Sequence, residues 1–334
     1  MHLAPRYVAA SIEELLDGAT SRAAMSTGDS KSGARFERVV IGGDRYVVKH
    51  LHVDDDWIMR ATGDLSGRPL TMWRSGLLDE LPNCLDHAVV GAAAGLGRNG
   101  WGAALLMRDV SDELVPEGDT IVALEQHSAF LAHMAALHAR FWNWTDTVGL
   151  EPAYHRYLEF SPDVMAVEGE NGWPDAVPRL VVDGWRRFAE IGGAVAAPVL
   201  GLVREPGPLV DALADCPQTL VHGDWKMGNL GTAYDGRTVL LDWAVPGQAP
   251  ALAELAWYLA LNRARLPHSK EDSIRVYRGE LEGCGVDTSG WWDRALALAL
   301  LGGLVWFGWE KALGGAGDEL SWWSDRASEG LRFL

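Results

Sequence analysis

Between Thr219 and Val245 the chain reads TLVHGDWKMGNLGTAYDGRTVLLDWAV, a stretch that few folds accommodate. An apolar run, Thr219-Leu220-Val221, leads into His222-Gly223-Asp224. Asn229 follows Asp224 by five positions, and a second apolar run, Val239-Leu240-Leu241, delivers Asp242. Asp235-Gly236 between them is a hairpin turn signal. The pattern is strand, polar loop, short strand, turn, strand, with two carboxylates and one amide at the strand ends. Mg²⁺ takes one or two carboxylates together with phosphate oxygens and water, so this set suits a divalent metal held against a nucleotide triphosphate. A hydroxyl nucleophile also needs a carboxylate beside it to accept its proton.

His222-Gly223-Asp224-Trp225-Lys226-Met227-Gly228-Asn229, followed by Leu241-Asp242-Trp243, resembles the catalytic core of the aminoglycoside phosphotransferase and choline kinase family of small-molecule kinases. The Asp-to-Asn spacing is also that of the protein-kinase catalytic loop. The resemblance implies an α+β, bilobal protein-kinase-like fold. A small antiparallel-sheet N-lobe would span 1–107, and a mainly helical C-lobe with the acceptor pocket would span 108–334. It further implies an ATP-dependent, Mg²⁺-dependent phosphotransferase, with Asp224 as the base and Asn229 and Asp242 as metal ligands. His222 would brace the loop. Lys226 stands where protein kinases carry their catalytic-loop lysine, and is expected to contact the transferred phosphoryl group. Trp225 replaces the family's more usual aliphatic residue or Phe, a matter of packing.

Upstream, Ser11-Ile12-Glu13-Glu14 signals a helix start with a capping box. The small, polar run Ser26 to Gly33 precedes two strands, Arg35 to Ile41 and Arg45 to Leu51, joined at Gly42-Gly43-Asp44. By the resemblance this run lies over the ATP phosphates, where small residues such as Ser26, Thr27, Gly28 and Ser30 permit close approach. Lys49, near the end of the second strand, would grip the α- and β-phosphates and pair with an acid on the following helix. Asp54, Asp55, Asp56, Asp64 and Glu80 are the candidates, and their spacing does not choose among them. Arg68 to Leu81 reads as a helix closed by Pro82. His87 to Ala94 and Ala103 to Met107 read as strands. Met107, Asp109 and Val110 fall at the implied hinge, where backbone groups would meet the adenine edge.

From Thr120 to Trp144 the apolar spacing is helical, and Leu137-His138-Ala139-Arg140-Phe141-Trp142 also resembles the family. His127, His133 and His138 do not converge at these spacings, so they read as packed or polar helix residues, not a metal site. Helical pieces such as Leu180 to Ile191 lie between Pro152 and Pro217, a segment without legible chemistry. Pro250 and Pro267 bracket another helix. On it Glu254 stands where the family has an acid, usually Asp, that bonds the catalytic-loop backbone; an exposed helix glutamate is the competing expectation.

The 334 residues exceed the usual single-core size, and 48% apolar content is ample for two lobes. A net charge of −17 argues against nucleic acid or an anionic membrane as partners and admits a cationic acceptor. Three scattered cysteines form neither a metal spacing nor a paired framework, which fits a reducing interior. Met1 to Ala10 lacks the features of a secretory signal. Ala295 to Trp309, broken by Gly302-Gly303, is shorter than the roughly 20 residues a bilayer demands and reads as a buried helix. A soluble, cytoplasmic enzyme is the expectation. Tryptophans crowd the C-terminal third, mostly as core, with some free to line an acceptor pocket. The acceptor is expected to be a small-molecule hydroxyl on an aminoglycoside or amino sugar. A neutral sugar, a choline-like amine, or a non-catalytic nucleotide-binding role on the same fold are the alternatives. No Ala-Pro-Glu triplet follows Asp242, which argues against a protein kinase.

Overall fold

Val47, Val48 and Lys49 show how the N-terminal sheet sorts its side chains, since successive strand residues face opposite ways. Val48 joins Leu16, Val39, Ala104 and Leu106 in a small core on the outer face. Val47 and Lys49 face the other way, and Val47 belongs to the main core. The computed structural model describes residues 3–25, 33–171 and 176–334. Its strands are β1 Ala19–Met25, β2 Arg35–Ile41, β3 Asp44–Leu51, β4 Leu85–Asp86, β5 Val89–Leu96 and β6 Gly102–Arg108 in the first half. In the second half come β7 Gln218–Val221, β8 Leu230–Thr232, β9 Thr238–Leu240 and β10 Gly247–Pro250.

A five-stranded sheet of order β1-β2-β3-β6-β5 forms the N-lobe, every pair antiparallel. The β2-β3 hairpin and β6 arise where the apolar patterning puts them. The edge strand β1, ATSRAAM, carries no alternation and is held by its pairing with β2. Ser11 Oγ caps the first helix by accepting from Glu14 N at 3.1 Å, but Glu14 reaches back to Ala10 N instead of Ser11 N. The helix expected over Arg68 to Leu81 breaks in two. Arg68–Ser75 ends at Gly76, whose φ of +78° turns the chain into a 3₁₀ segment, Leu77–Glu80. A side chain at Gly76 would meet Ala4 O at 2.2 Å, so glycine is required there twice over.

The C-lobe is mainly helical. Leu124–Arg140, Ala251–Leu261 and Trp292–Leu313 pack its centre. Trp292–Leu313 is long and apolar enough to cross a membrane, but 83% of its most apolar window is buried inside the protein, as a core helix requires. Gly302 and Gly303 sit in it where Tyr157 and Trp323 press close, at 2.4 and 2.6 Å from any added Cβ. They are packing glycines, not breaks. The helix after Pro250 stops at Leu261, six residues before Pro267, with Asn262 Nδ2 donating to Tyr258 O. The helix histidines are packed, as expected: His127 meets Tyr258 and Ser273, His133 meets Thr238, and His138 meets Tyr277 and Glu254. Of the clustered tryptophans, Trp292, Trp306, Trp309 and Trp323 are buried.

Candidate functional site

The second-half strands do not join the five-stranded sheet. β7 pairs with β10, while β8 and β9 form a hairpin whose β9 also takes β4 as a parallel neighbour. The Asp235-Gly236 turn closes that hairpin, with Gly236 N donating to Ala233 O. Two strand ends therefore deliver the polar loop His222–Asn229 and Asp242 side by side.

The loop is held from beneath. Glu254 is buried and accepts from Gly223 N at 2.6 Å and His222 N at 3.2 Å, and its Oε2 lies 2.9 Å from His138 Nε2. This is the backbone-bonding acid that the resemblance implied, with the extra methylene of Glu accommodated. Burial alone would raise its pKa; the hydrogen bond and charge of His138, then the Gly223 amide, hold it below the ordinary range. His222 Nε2 donates to Leu241 O at 2.9 Å, which leaves Nδ1 to accept from Asp224 N at 3.2 Å. Burial keeps the ring's pKa below its ordinary value against the pull of Glu254, Asp224 and Asp242, so His222 is a neutral strut between the loop and the strand end before Asp242. Gly223, at φ +84°, admits no side chain: a Cβ would lie 2.0 Å from Val245 O.

Asp224 emerges half-buried with both oxygens engaged. Oδ2 takes Asn229 Nδ2 at 2.8 Å and Lys226 Nζ at 2.8 Å; Oδ1 takes Trp257 Nε1 at 3.0 Å. Asn229 Nδ2 also donates to Asp224 O, which turns its amide oxygen away from the aspartate. Asp242 adopts φ +64°, a left-handed conformation that Asp tolerates better than most residues and that costs on the order of 1 kcal/mol. Its Oδ1 accepts from Lys49 Nζ at 2.6 Å. Burial pushes the Asp242 carboxyl up, but the Lys49 ammonium, with Lys226 behind it, holds it below the usual carboxylate range.

Lys49 thus meets Asp242, not an acid on the next helix. The five expected candidates are committed elsewhere: Asp54 to His52, Asp55 to Arg35, Asp56 to capping the helix Trp57–Thr62, Asp64 to the amides of Ser66, Gly67 and Arg68, and Glu80 to Arg140. Ser26, Thr27, Gly28 and Ser30 lie outside the described residues. At the expected hinge, Met107 remains in the ladder between β3 and β5, and Asp109 N donates to Arg45 O while its carboxylate accepts from Ser111.

An amide oxygen from Asn229 and a carboxylate from Asp242 are hard oxygen donors, the kind Mg²⁺ takes together with phosphate and water. Among the described residues no group of three or more His, Cys, Asp or Glu stands ready to enclose a metal alone.

Three contributors carried no signal that singled them out. Trp257 follows Glu254 by three on an apolar helix and reads as core. Asn262 Oδ1 accepts from Met227 N at 2.9 Å; a polar residue closing an apolar helix was its only trace. Arg156 donates to Gly223 O at 2.7 Å, pairs with Glu159, and lays its guanidinium 3.9 Å from the Trp257 ring.

Behind Gly223 lies a cavity of about 80 Å³, walled by Glu151, Arg156, Tyr157, Trp257 and Trp306 among others. Glu151 is buried; Arg68 Nη1 lies 2.6 Å away, yet neither carboxyl oxygen is in hydrogen-bonding geometry. Burial, opposed by the charges of Arg68 and Arg156, pushes its pKa up to about 7. The folded protein therefore holds this proton more tightly than the unfolded chain, and stability falls as pH rises from 4.5 toward 7. The loss amounts to roughly 3 kcal/mol at this site. Urea unfolding at pH 5 and pH 8 should show the native protein losing more stability than Glu151→Gln; equal losses would contradict it.

No family model matches the sequence, and no curated protein does. Solved structures match in fold. Choline kinase LicA from Streptococcus pneumoniae superposes with a TM-score of 0.52 at 14% identity, over 97% of this chain and 96% of its own. A microcompartment-associated aminopropanol kinase gives 0.52 at 14% identity, over 95% and 96%. At such identity the likeness is one of fold, and the fold is the bilobal, protein-kinase-like one.

Proposed function

We propose that this chain is an ATP-dependent phosphotransferase that moves the γ-phosphoryl group to a hydroxyl of a small molecule. The observation that carries the reading is the convergence of Asp224, Lys226, Asn229, Asp242 and Lys49, drawn from both halves of the chain, at one loop. Asp224 accepts the proton of the attacking hydroxyl, and its fixed carboxylate sets where that hydroxyl lies. Lys49 and Lys226 supply positive charge to the triphosphate and to the transferred group. Asn229 and Asp242 would hold Mg²⁺, which when bound neutralises phosphate charge. Positioning and charge compensation account for most of the acceleration, since phosphoryl transfer asks little covalent work of the protein. The nucleotide would lie between residues 1–107 and 108–334, with Ser26, Thr27, Gly28 and Ser30 over its phosphates and Met107, Asp109 and Val110 beside its base. Of the hinge amides, Arg108 N and Asp109 N are bonded to Ala88 O and Arg45 O, which favours Val110 N for the adenine edge.

The acceptor hydroxyl must meet Asp224; the cavity of about 80 Å³ behind Gly223 adjoins that position through Gly223 and Trp257. The broad face of Trp257, where a choline-like cation would stack, already carries the Arg156 guanidinium at 3.9 Å. That favours an aminoglycoside, an amino sugar or a neutral sugar over a quaternary amine. The test is ATP consumption with Mg²⁺ across aminoglycosides, amino sugars, simple sugars and choline, with a parallel nucleotide titration. Consumption stimulated by the sugar classes is the expected result. ATP binding with no stimulation by any acceptor would favour the non-catalytic alternative, and stimulation by choline alone would overturn the acceptor class.

A further inference from the structure

We propose that Trp257 is a positioning residue for Asp224, its indole N–H fixing the carboxylate plane in which the base meets its substrate; this rests on the phosphotransferase reading above. Asn229 and Lys226 both bind Oδ2, so on their own they leave the carboxylate free to pivot about that oxygen. Trp257 Nε1, 3.0 Å from Oδ1, removes the pivot. A hydrogen bond can orient its acceptor only as well as the donor is itself held. Trp257 is buried on the helix Ala251–Leu261, one turn from the Glu254 that bonds the loop backbone. Its ring packs edge-to-face against Phe307 at 4.7 Å and Trp306 at 5.3 Å. Arg156 covers its face and ties the same guanidinium to Gly223 O, one residue before the base. The indole cannot follow a wandering carboxylate, so the carboxylate follows the indole. A phenyl ring at this position would fill most of the same space and donate nothing.

Two measurements test this. In an indole-¹⁵N spectrum the Trp257 N–H, assigned through its contacts to Phe307, should move upfield when Asp224→Ala removes its acceptor. An unmoved resonance would show that the contact is not made and would overturn the proposal, whether or not the protein proves to be a kinase. In steady-state kinetics with the acceptor found in the panel, Trp257→Phe should lower kcat about tenfold while KM for ATP stays within about twofold, the mark of lost orientation rather than lost binding. An unchanged kcat, or a fall in kcat accompanied by a comparable rise in KM for ATP, would overturn it, the latter by revealing a purely structural role. The spectral comparison needs only the native protein and Asp224→Ala, so it decides even if the Trp257 variant does not fold.

Discussion

Asp224→Asn is expected to lower turnover by about a thousandfold while leaving ATP affinity within a few-fold of native. The amide has no basic oxygen of comparable strength, so the hydroxyl proton loses its acceptor. The substitution also meets a local conflict, because both oxygens of Asp224 face donors: Trp257 Nε1 on one side, Asn229 Nδ2 and Lys226 Nζ on the other. Whichever way the Asn is turned, its NH₂ group points at a donor, and the side chain is displaced as well as disarmed. Lys49 and Asp242 are untouched by the change, which is why nucleotide binding should survive. Asp242→Ala should behave differently. It removes the partner of Lys49 and one of the two proposed Mg²⁺ ligands, so both turnover and the Mg²⁺-dependent part of ATP affinity should fall, the latter by about 10–100-fold. Single-turnover rates and nucleotide titrations with and without Mg²⁺ separate the two. Near-native turnover in Asp224→Asn would remove it as the base, and Mg²⁺-dependent affinity unchanged in Asp242→Ala would remove that residue as a ligand.

What the chain discloses by itself follows the range of the interactions involved. The loop from His222 to Asn229, the hairpin after it and Asp242 are legible because their geometry is local: apolar runs make strands, Asp-Gly makes the turn, and fixed spacings do the rest. Lys49 is legible as a strand lysine near the site, but its carboxylate partner lies 193 positions away, and no spacing rule reaches across that distance. β1 is formed by pairing with β2 and not by its own pattern, so nothing in ATSRAAM announces it. Gly76 ends its helix early because Ala4 crosses against it, a tertiary contact that the periodicity of Arg68 to Leu81 does not contain. Trp257 illustrates the same limit at the site itself. Its position on an apolar helix is what any core tryptophan would show, and its function lies in where its one polar atom points.

Glu254→Ala should cost about 3–5 kcal/mol of stability, the penalty for breaking a buried, hydrogen-bonded charge by deleting one side. The carboxylate serves three donors at once: Gly223 N at 2.6 Å, His222 N at 3.2 Å and His138 Nε2 at 2.9 Å. Truncation strands all three inside the protein, where they lose a charged acceptor. The His138 ring, whose Nδ1 lies 2.6 Å from the Tyr277 hydroxyl, loses its anchor too, so the damage extends from the loop His222–Asn229 to the helix Lys270–Gly283. Glu254→Gln should cost less, because one oxygen remains for Gly223 N, but its NH₂ must then face the other donors. Glu254→Asp keeps the charge and shortens the reach. If the Glu length is what lets one side chain hold both the loop amides and His138, the Asp variant should retain some stability yet lose turnover, as Gly223 and Asp224 relax. The pH dependence carries its own signature. Because the folded protein holds this carboxyl below its ordinary pKa of 4.5, its contribution is present above that value and is lost as pH falls through the lower, folded one. The gap in urea stability between native protein and Glu254→Gln should therefore narrow below pH 4.5 and stay wide at pH 7. A gap of under about 1 kcal/mol for Glu254→Ala at neutral pH would mean that the loop is held by other contacts.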